Sequence, residues 1–205
     1  GAVLLAAPRW PGGAPPGLLD AQPALWAVRA EGGRDRPARQ RTLRAALSWS
    51  HALLAADERR VLARLSVFAG TIPPSAVDAV CGPGSAESVI ILVAKSMLQS
   101  YGERLVMLEP IRQLAAEHLS ASGETQHRAE AHAEWFLSFA EGADPHLLGP
   151  NQVLWLSRLA ECHDNLRVAL DRSDGQADVE MRLASALARY WYIRGHWTEG
   201  RAALD

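Results

Sequence analysis

Apolar residues along this chain keep one rhythm for most of its length and break it once. From Leu43 onward they return every three or four residues, the spacing that gathers them on one face of a helix. Between Leu98 and Leu108 the rhythm changes. Leu98 to Tyr101 and Arg104 to Leu108 read as two short strands turning at Gly102-Glu103. A helical chain with one hairpin at a fixed place has few architectures open to it, and the segments before the hairpin narrow them further.

Leu43, Ala46, Leu47, Ser50, Leu53 and Leu54 predict a first helix within the run Arg39 to Leu54. Asp57 reads as the N-cap of a second, which carries Val61, Leu62, Leu65 and Phe68 and stops at Gly70. Pro73-Pro74-Ser75 restarts the chain as a short helix, Ala76 to Val80, ended by Cys81-Gly-Pro-Gly84. Ser85 reads as the cap of a further helix in which Val89, Ile90, Leu92, Val93 and Met97 are apolar. Three main helices followed by a small β-hairpin are the winged-helix arrangement, predicted here over residues 37–121.

After the hairpin, Pro110 suits a first helical turn, and Ile111, Leu114, Ala115, His118 and Leu119 predict a helix ending near Gly123. The rest is helical throughout. One helix is expected from Thr125 to Ala140 on the spine Ala129, Ala133, Phe136 and Ala140. A second runs from Asn151 to Asp171 through Trp155, Leu159, Cys162, Leu166 and Ala169. A third, Ala177 to Ile193, uses Leu183, Leu187 and Trp191, and a fourth opens at Trp197. Helix pairs with small and aromatic residues at the crossings predict TPR-like antiparallel repeats over residues 122–205, in an array that continues past Asp205. Residues 1–36 hold Pro8, Pro11, Pro15, Pro16 and Pro23 and the glycine breaks Gly12-Gly13, Gly17 and Gly32-Gly33, so they predict a linker or the remnant of a preceding domain. The fold class is therefore mainly α.

Charge limits the partners. The net charge is −2, which argues against a general polyanion binder. Lys95 is the only lysine. The helix from Ser85 offers Glu87 and Lys95 with aliphatic residues between them, and the wing adds Arg104 beside Glu103. That set is poor for phosphates and base edges, so DNA binding by this segment is not expected. Arg34, Arg36, Arg39, Arg41 and Arg44 form the one basic cluster. It reads either as a contact to phosphate or to an acidic face of another domain, with Arg39, Arg41 and Arg44 as candidates, or as a solvated linker and helix start.

No catalytic constellation is present. Lys95 follows Ala94 without a glycine loop, so the chain lacks the Gly-x-x-x-x-Gly-Lys-Ser/Thr phosphate cradle. Cys81 and Cys162 form no CxxC, which suits a reduced, cytoplasmic protein. Cys162 and His163 point about 100° apart on a helix and do not share an ion, and His127 and His132 also fall off one face; no metal or cofactor is expected. Asp164 and Asn165 read as hydrogen-bonding to a neighbouring helix. The apolar start, Gly1 to Ala7, is far shorter than the ~20 residues of a membrane span, and the absence of an initial Met suggests a fragment. Trp155, Tyr190, Trp191, Tyr192 and Trp197 read either as inter-helix packing or as a partner-binding groove, with Trp155, Trp191 and Trp197 the leading candidates.

Several stretches together resemble the bacterial signal-transduction ATPases with an NB-ARC-like core found in LuxR-type regulators. They are Arg39 to Ser50, Leu65-Ser-Val-Phe-Ala-Gly70, Val93-Ala-Lys-Ser-Met-Leu98, Met107-Leu-Glu-Pro-Ile-Arg112, Cys162-His-Asp-Asn-Leu-Arg167 and Trp191-Tyr-Ile-Arg-Gly195. The resemblance implies a nucleotide-binding core followed by a winged helix and TPR-type repeats. It also implies a nucleotide-sensor position at Leu108, within Met107-Leu108-Glu109. Relatives carry Met-His-Asp there; Leu108 offers no hydrogen bond, so it reads as packing, with Glu109 capping the next helix. The function this implies is a non-catalytic signal-transduction module of an ATPase-type transcription regulator, working through protein contacts. Two alternatives stay open: a winged helix that binds DNA directly, and a stand-alone TPR-like adaptor.

Overall fold

Gly102, with φ +62°, turns the chain between β2 (Gln99–Tyr101) and β3 (Arg104–Val106), and Tyr101 faces Arg104 across the antiparallel pair. The fold comes from a computed structural model that describes residues 36–102, 104–173 and 177–202, with side chains from Thr42 to Arg201. The expected linker lies outside these residues, except for its last position. A third strand, β1 (Thr71–Ile72), lies on the far side of β3, giving the order β1-β3-β2. Two residues between Gly70 and Pro73 are too few to show alternation, so the sequence hides this strand.

The helices of the winged helix are α1 (Arg36–Ala52), α2 (Ala56–Leu65), α3 (Pro74–Cys81) and α4 (Ser85–Ala94). The array after the wing comprises α5 (Glu109–Ser122), α6 (Thr125–Ala143), a 3-10 turn (Asp144–Leu148), α7 (Gln152–Glu161), α8 (His163–Arg172), α9 (Ala177–Arg194) and α10 (Trp197–Ala202). The chain divides into two units, residues 1–46 and 47–205. The second holds the hydrophobic core described below.

Helix starts differ from expectation in informative ways. Asp57 does not cap α2; Ala55 does, because the Glu58 carboxylate reaches back to accept its N–H at 2.9 Å. Asp57 then sits in the first turn, where its charge suits the helix dipole and pairs with Arg60. Ser85 likewise donates to Gly82 C=O rather than capping α4, and Asp78 of α3 accepts the Ala86 N–H at 3.1 Å instead. Glu109 is not a cap either; Leu108 holds that position and Glu109 pairs with Arg112. Leu53, expected on the apolar face of α1, is exposed just past the helix end, while Leu54 is buried.

α6 is the centre of the unit, packing against α3, α8 and α9. Its buried face is His132, Ala133, Phe136, Leu137, Ala140 and Ala143, and the edges of Phe68 and Phe136 meet with ring centroids 6.2 Å apart. The winged helix and the array are joined here by polar contacts. Asn165, fully buried on α8, accepts the Ala69 N–H at 2.8 Å and donates to Thr71 C=O at 2.7 Å. Its Oδ1 can only accept, so His132 carries its proton on Nε2 and donates across 3.1 Å. Thr71 Oγ donates to Glu161 C=O, Arg104 pairs with Glu161, and Arg172 donates to Val67 C=O.

These contacts also mark where the expected Asn151–Asp171 helix divides. It breaks at Cys162, which ends α7 and begins α8 with φ −99° and ψ 8°. The Glu161 carbonyl at the break takes the Thr71 hydroxyl. The apolar spacing stays in register across the break, which is why periodicity alone reads one helix. At the lower end of the junction, Arg64 grips Glu124 with two nitrogens at 2.8 and 3.1 Å and donates to Cys81 C=O. Arg128 joins Glu124 to Val80 C=O. These arginines, Arg64 first, hold the Glu124 carboxyl below the usual range.

Two measurements follow. Asn165→Ala leaves a backbone N–H, a carbonyl and the His132 N–H buried without partners, and should cost about 3–5 kcal/mol in urea unfolding. Burial holds the His132 imidazole down at about 4, against 6.5 in an open chain. The native state therefore takes up no proton there as pH falls from 6.5 to 4, while the unfolded state does. Stability should drop through that window by about 3 kcal/mol, and remain level in this contribution above it. In the His132→Gln protein that part of the slope should vanish.

Candidate functional site

In a winged helix the segment that meets a partner is the third helix with the adjoining hairpin, here α4 and β2–β3. Val89 and Leu92 of α4 turn into the core, which leaves Ala86, Glu87, Ile90, Ile91 and Ala94 outward. Ile90 is 71 % exposed. The cations that could serve DNA here are occupied. Lys95 Nζ lies 2.6 Å from the Glu58 carboxylate, which keeps that carboxyl ionised below its ordinary range. Arg104 of the wing turns back to Glu161. Among the described residues the outward face of α4 is thus aliphatic with one carboxylate, Glu87, a surface suited to protein rather than phosphate.

The expected site residues fall in different places. Arg39 and Arg41 belong to α1, with side chains outside the described residues, and Arg44 is exposed on the same helix. Leu108 is 44 % exposed at the N-cap of α5, while Met107 beside it is buried. The tryptophans do not share one face. Trp191 is in the core at 4 % exposure and so cannot present its ring to a partner. Trp155 is half-buried, stacked on His146 at 4.9 Å with Arg158 over its ring. Trp197 is exposed and meets Tyr192 edge-on at 5.1 Å.

A cleft of about 720 Å³ lies among α1, α2 and α5, lined by His51, Arg59, Arg60, Arg64 and His118. His51 and His118 stack at 4.1 Å, and burial above all, then His118 and Arg59, pushes the His51 imidazole down. Two of its guanidinium groups are held by Asp57 and Glu124.

Nucleophilic chemistry has little support. Burial pushes the Cys81 thiol up to about 12 and the Cys162 thiol to about 11, so both stay protonated at neutral pH. Cys162 and His163, adjacent in sequence, mark the end of α7 and the start of α8. The fold brings His163 to His196 and Glu199, a grouping separated by more than thirty residues that no local spacing could disclose. Among the described residues no helix is long and apolar enough to cross a membrane.

Fold and surface together define a winged helix docked on an array of helices, with an aliphatic outward face. No protein-family model and no solved structure matches the chain. It is 31 % identical, over 97 % of its length, to proteins of Mycobacterium bovis and Mycobacterium tuberculosis that carry the provisional name of HTH-type transcriptional regulators. The chain spans about a quarter of those relatives, 24 % of their length. Their name lies closer to the DNA-binding alternative than to a module working through protein contacts alone.

The two faces of α4 should respond differently to substitution. Ile90→Asp should change unfolding free energy by less than about 0.5 kcal/mol. Leu92→Ala, two residues on and fully buried, should cost about 2–5 kcal/mol.

Proposed function

We propose that this chain is a regulatory segment of a bacterial HTH-type transcription regulator, and that its winged helix works by contact with protein. The carrying observation is the outward face of α4, where Ile90 and Ile91 are exposed while Lys95 and Arg104 are committed to Glu58 and Glu161. The relatives' name supports the regulatory role. In this reading the segment has no catalytic activity of its own and acts in the cytoplasm. It passes the state of a nucleotide-binding core, or of a ligand, through the winged helix to a TPR-like array. The docking of β1 on α8 suits that role, since it lets the winged helix and the helices behind it move as a rigid body.

A second reading, that the winged helix reads operators directly, is favoured by the HTH in the relatives' name. It requires the wing to release Arg104 and α4 to release Lys95. Selection from a random duplex library followed by anisotropy at 50–200 mM salt separates the two. We expect affinity no tighter than the non-specific range of about 10⁻⁴–10⁻⁶ M, and no preferred sequence. A selected operator bound at nanomolar strength, with binding lost in Lys95→Ala or Arg104→Ala, would establish direct reading instead.

A further inference from the structure

We propose that His163, His196 and Glu199 form a zinc site that fastens the start of α10 to α8. Each side chain offers one ligand atom, and the three atoms lie within 4.8 Å of one another. Two imidazoles and a carboxylate are a donor set that zinc takes with water in the fourth position. One edge is already at the length a tetrahedral ion imposes, about 3.3 Å: His163 Nε2 and Glu199 Oε2 are 3.2 Å apart. His196 has to approach by no more than about 1.5 Å to complete the set.

The burial of the carboxylate points the same way. Glu199 Oε2 is sealed from solvent and faces His163 Nε2 at 3.2 Å without a well-formed hydrogen bond, and a buried carboxylate oxygen is costly unless a cation faces it. Arg167 stands 3.7 Å from the other oxygen, Oε1, and is largely exposed, so it leaves Oε2 turned toward the two rings.

The backbone presents the ligands. Gly195, at φ +76°, ends α9 in a left-handed turn, and the His196 N–H returns to Trp191 C=O at 3.0 Å. That turn carries the His196 ring onto His163, with centroids 4.6 Å apart. Glu199 follows one turn later on α10, which sits so close to Trp191 that a Cβ on Gly200 would come within 3.1 Å of the indole. Tyr190 Oη lies 3.4 Å from His163 Nδ1. Because a hydroxyl both donates and accepts, it can take the Nδ1 proton when Nε2 binds metal, as outer partners of zinc histidines do. The ion would face the cavity of about 510 Å³ lined by Arg167, Asp171, Glu180 and Tyr190, which leaves its fourth position open.

The test is calorimetric titration of zinc chloride into the chelator-treated, dialysed full chain, with thermal melts in parallel. We expect one zinc per chain and a melting temperature raised by saturating zinc. His163→Ala, His196→Ala and the near-isosteric Glu199→Gln should each weaken binding at least tenfold, with helical circular dichroism retained. Tyr190→Phe should weaken it about tenfold, and His51→Ala should leave it unchanged. Cobalt in place of zinc should give the visible absorption of a four-coordinate ion. No saturable binding, or one-to-one binding that survives all three ligand substitutions, would overturn the assignment.

Discussion

One buried amide fixes how this chain is put together. Asn165 has its carbonyl oxygen shared between the Ala69 N–H and the His132 ring, and its amide nitrogen on Thr71 C=O. Each of those partners is buried or half-buried and would cost roughly 1–3 kcal/mol if left alone. The side chain therefore dictates the path of the chain after α2, the tautomer of His132 on α6 and the placement of β1 on α8. Gly70, between the two backbone partners, shows how tight the junction is. Its φ is +71°, and an added Cβ would meet the Asp164 carboxylate at 2.9 Å.

Two of the six stretches that carry the family resemblance meet in this arrangement. Leu65–Gly70 and Cys162–Arg167 are the two sides of the same contact. Phe68 supplies an edge to the His132 ring at 5.2 Å, Gly70 supplies the turn, and Asn165 closes the hydrogen bonds. The break at Cys162 belongs to the same design, since α7 must end where Thr71 and Arg104 reach Glu161. Lys95 and Arg104, the cations that would have made the wing basic, are spent on internal ion pairs, one of them across this junction. The wing's lack of a free Arg104 and the docking of the array therefore have a common origin.

Much of this was legible in the sequence. The hairpin, α3, α5, α9 and the start of α10 follow from spacing and from glycine and proline positions within a few residues. Leu159, Cys162, Leu166 and Ala169 form the buried face their spacing predicts, even though the helix carrying them is broken. Hidden from the sequence were features whose cause lies far along the chain. β1 exists because β3 and α8 accept it. Ala55 serves as a cap because Glu58 reaches back. Trp191 is in the core because α10 folds over it, and His163 meets His196 only through the turn at Gly195. Local patterns fix elements; these long-range contacts decide which surfaces remain free.

If Asn165 holds the winged helix and the array as one cooperative body, native-state hydrogen exchange in increasing urea tests it most directly. The amides of Ile72 and Leu105 in the sheet, and of Phe136 and Leu137 in α6, should open together with the same free energy and the same urea dependence. Loss of protection in α6 to α9 at lower urea, with the sheet still protected, would contradict it.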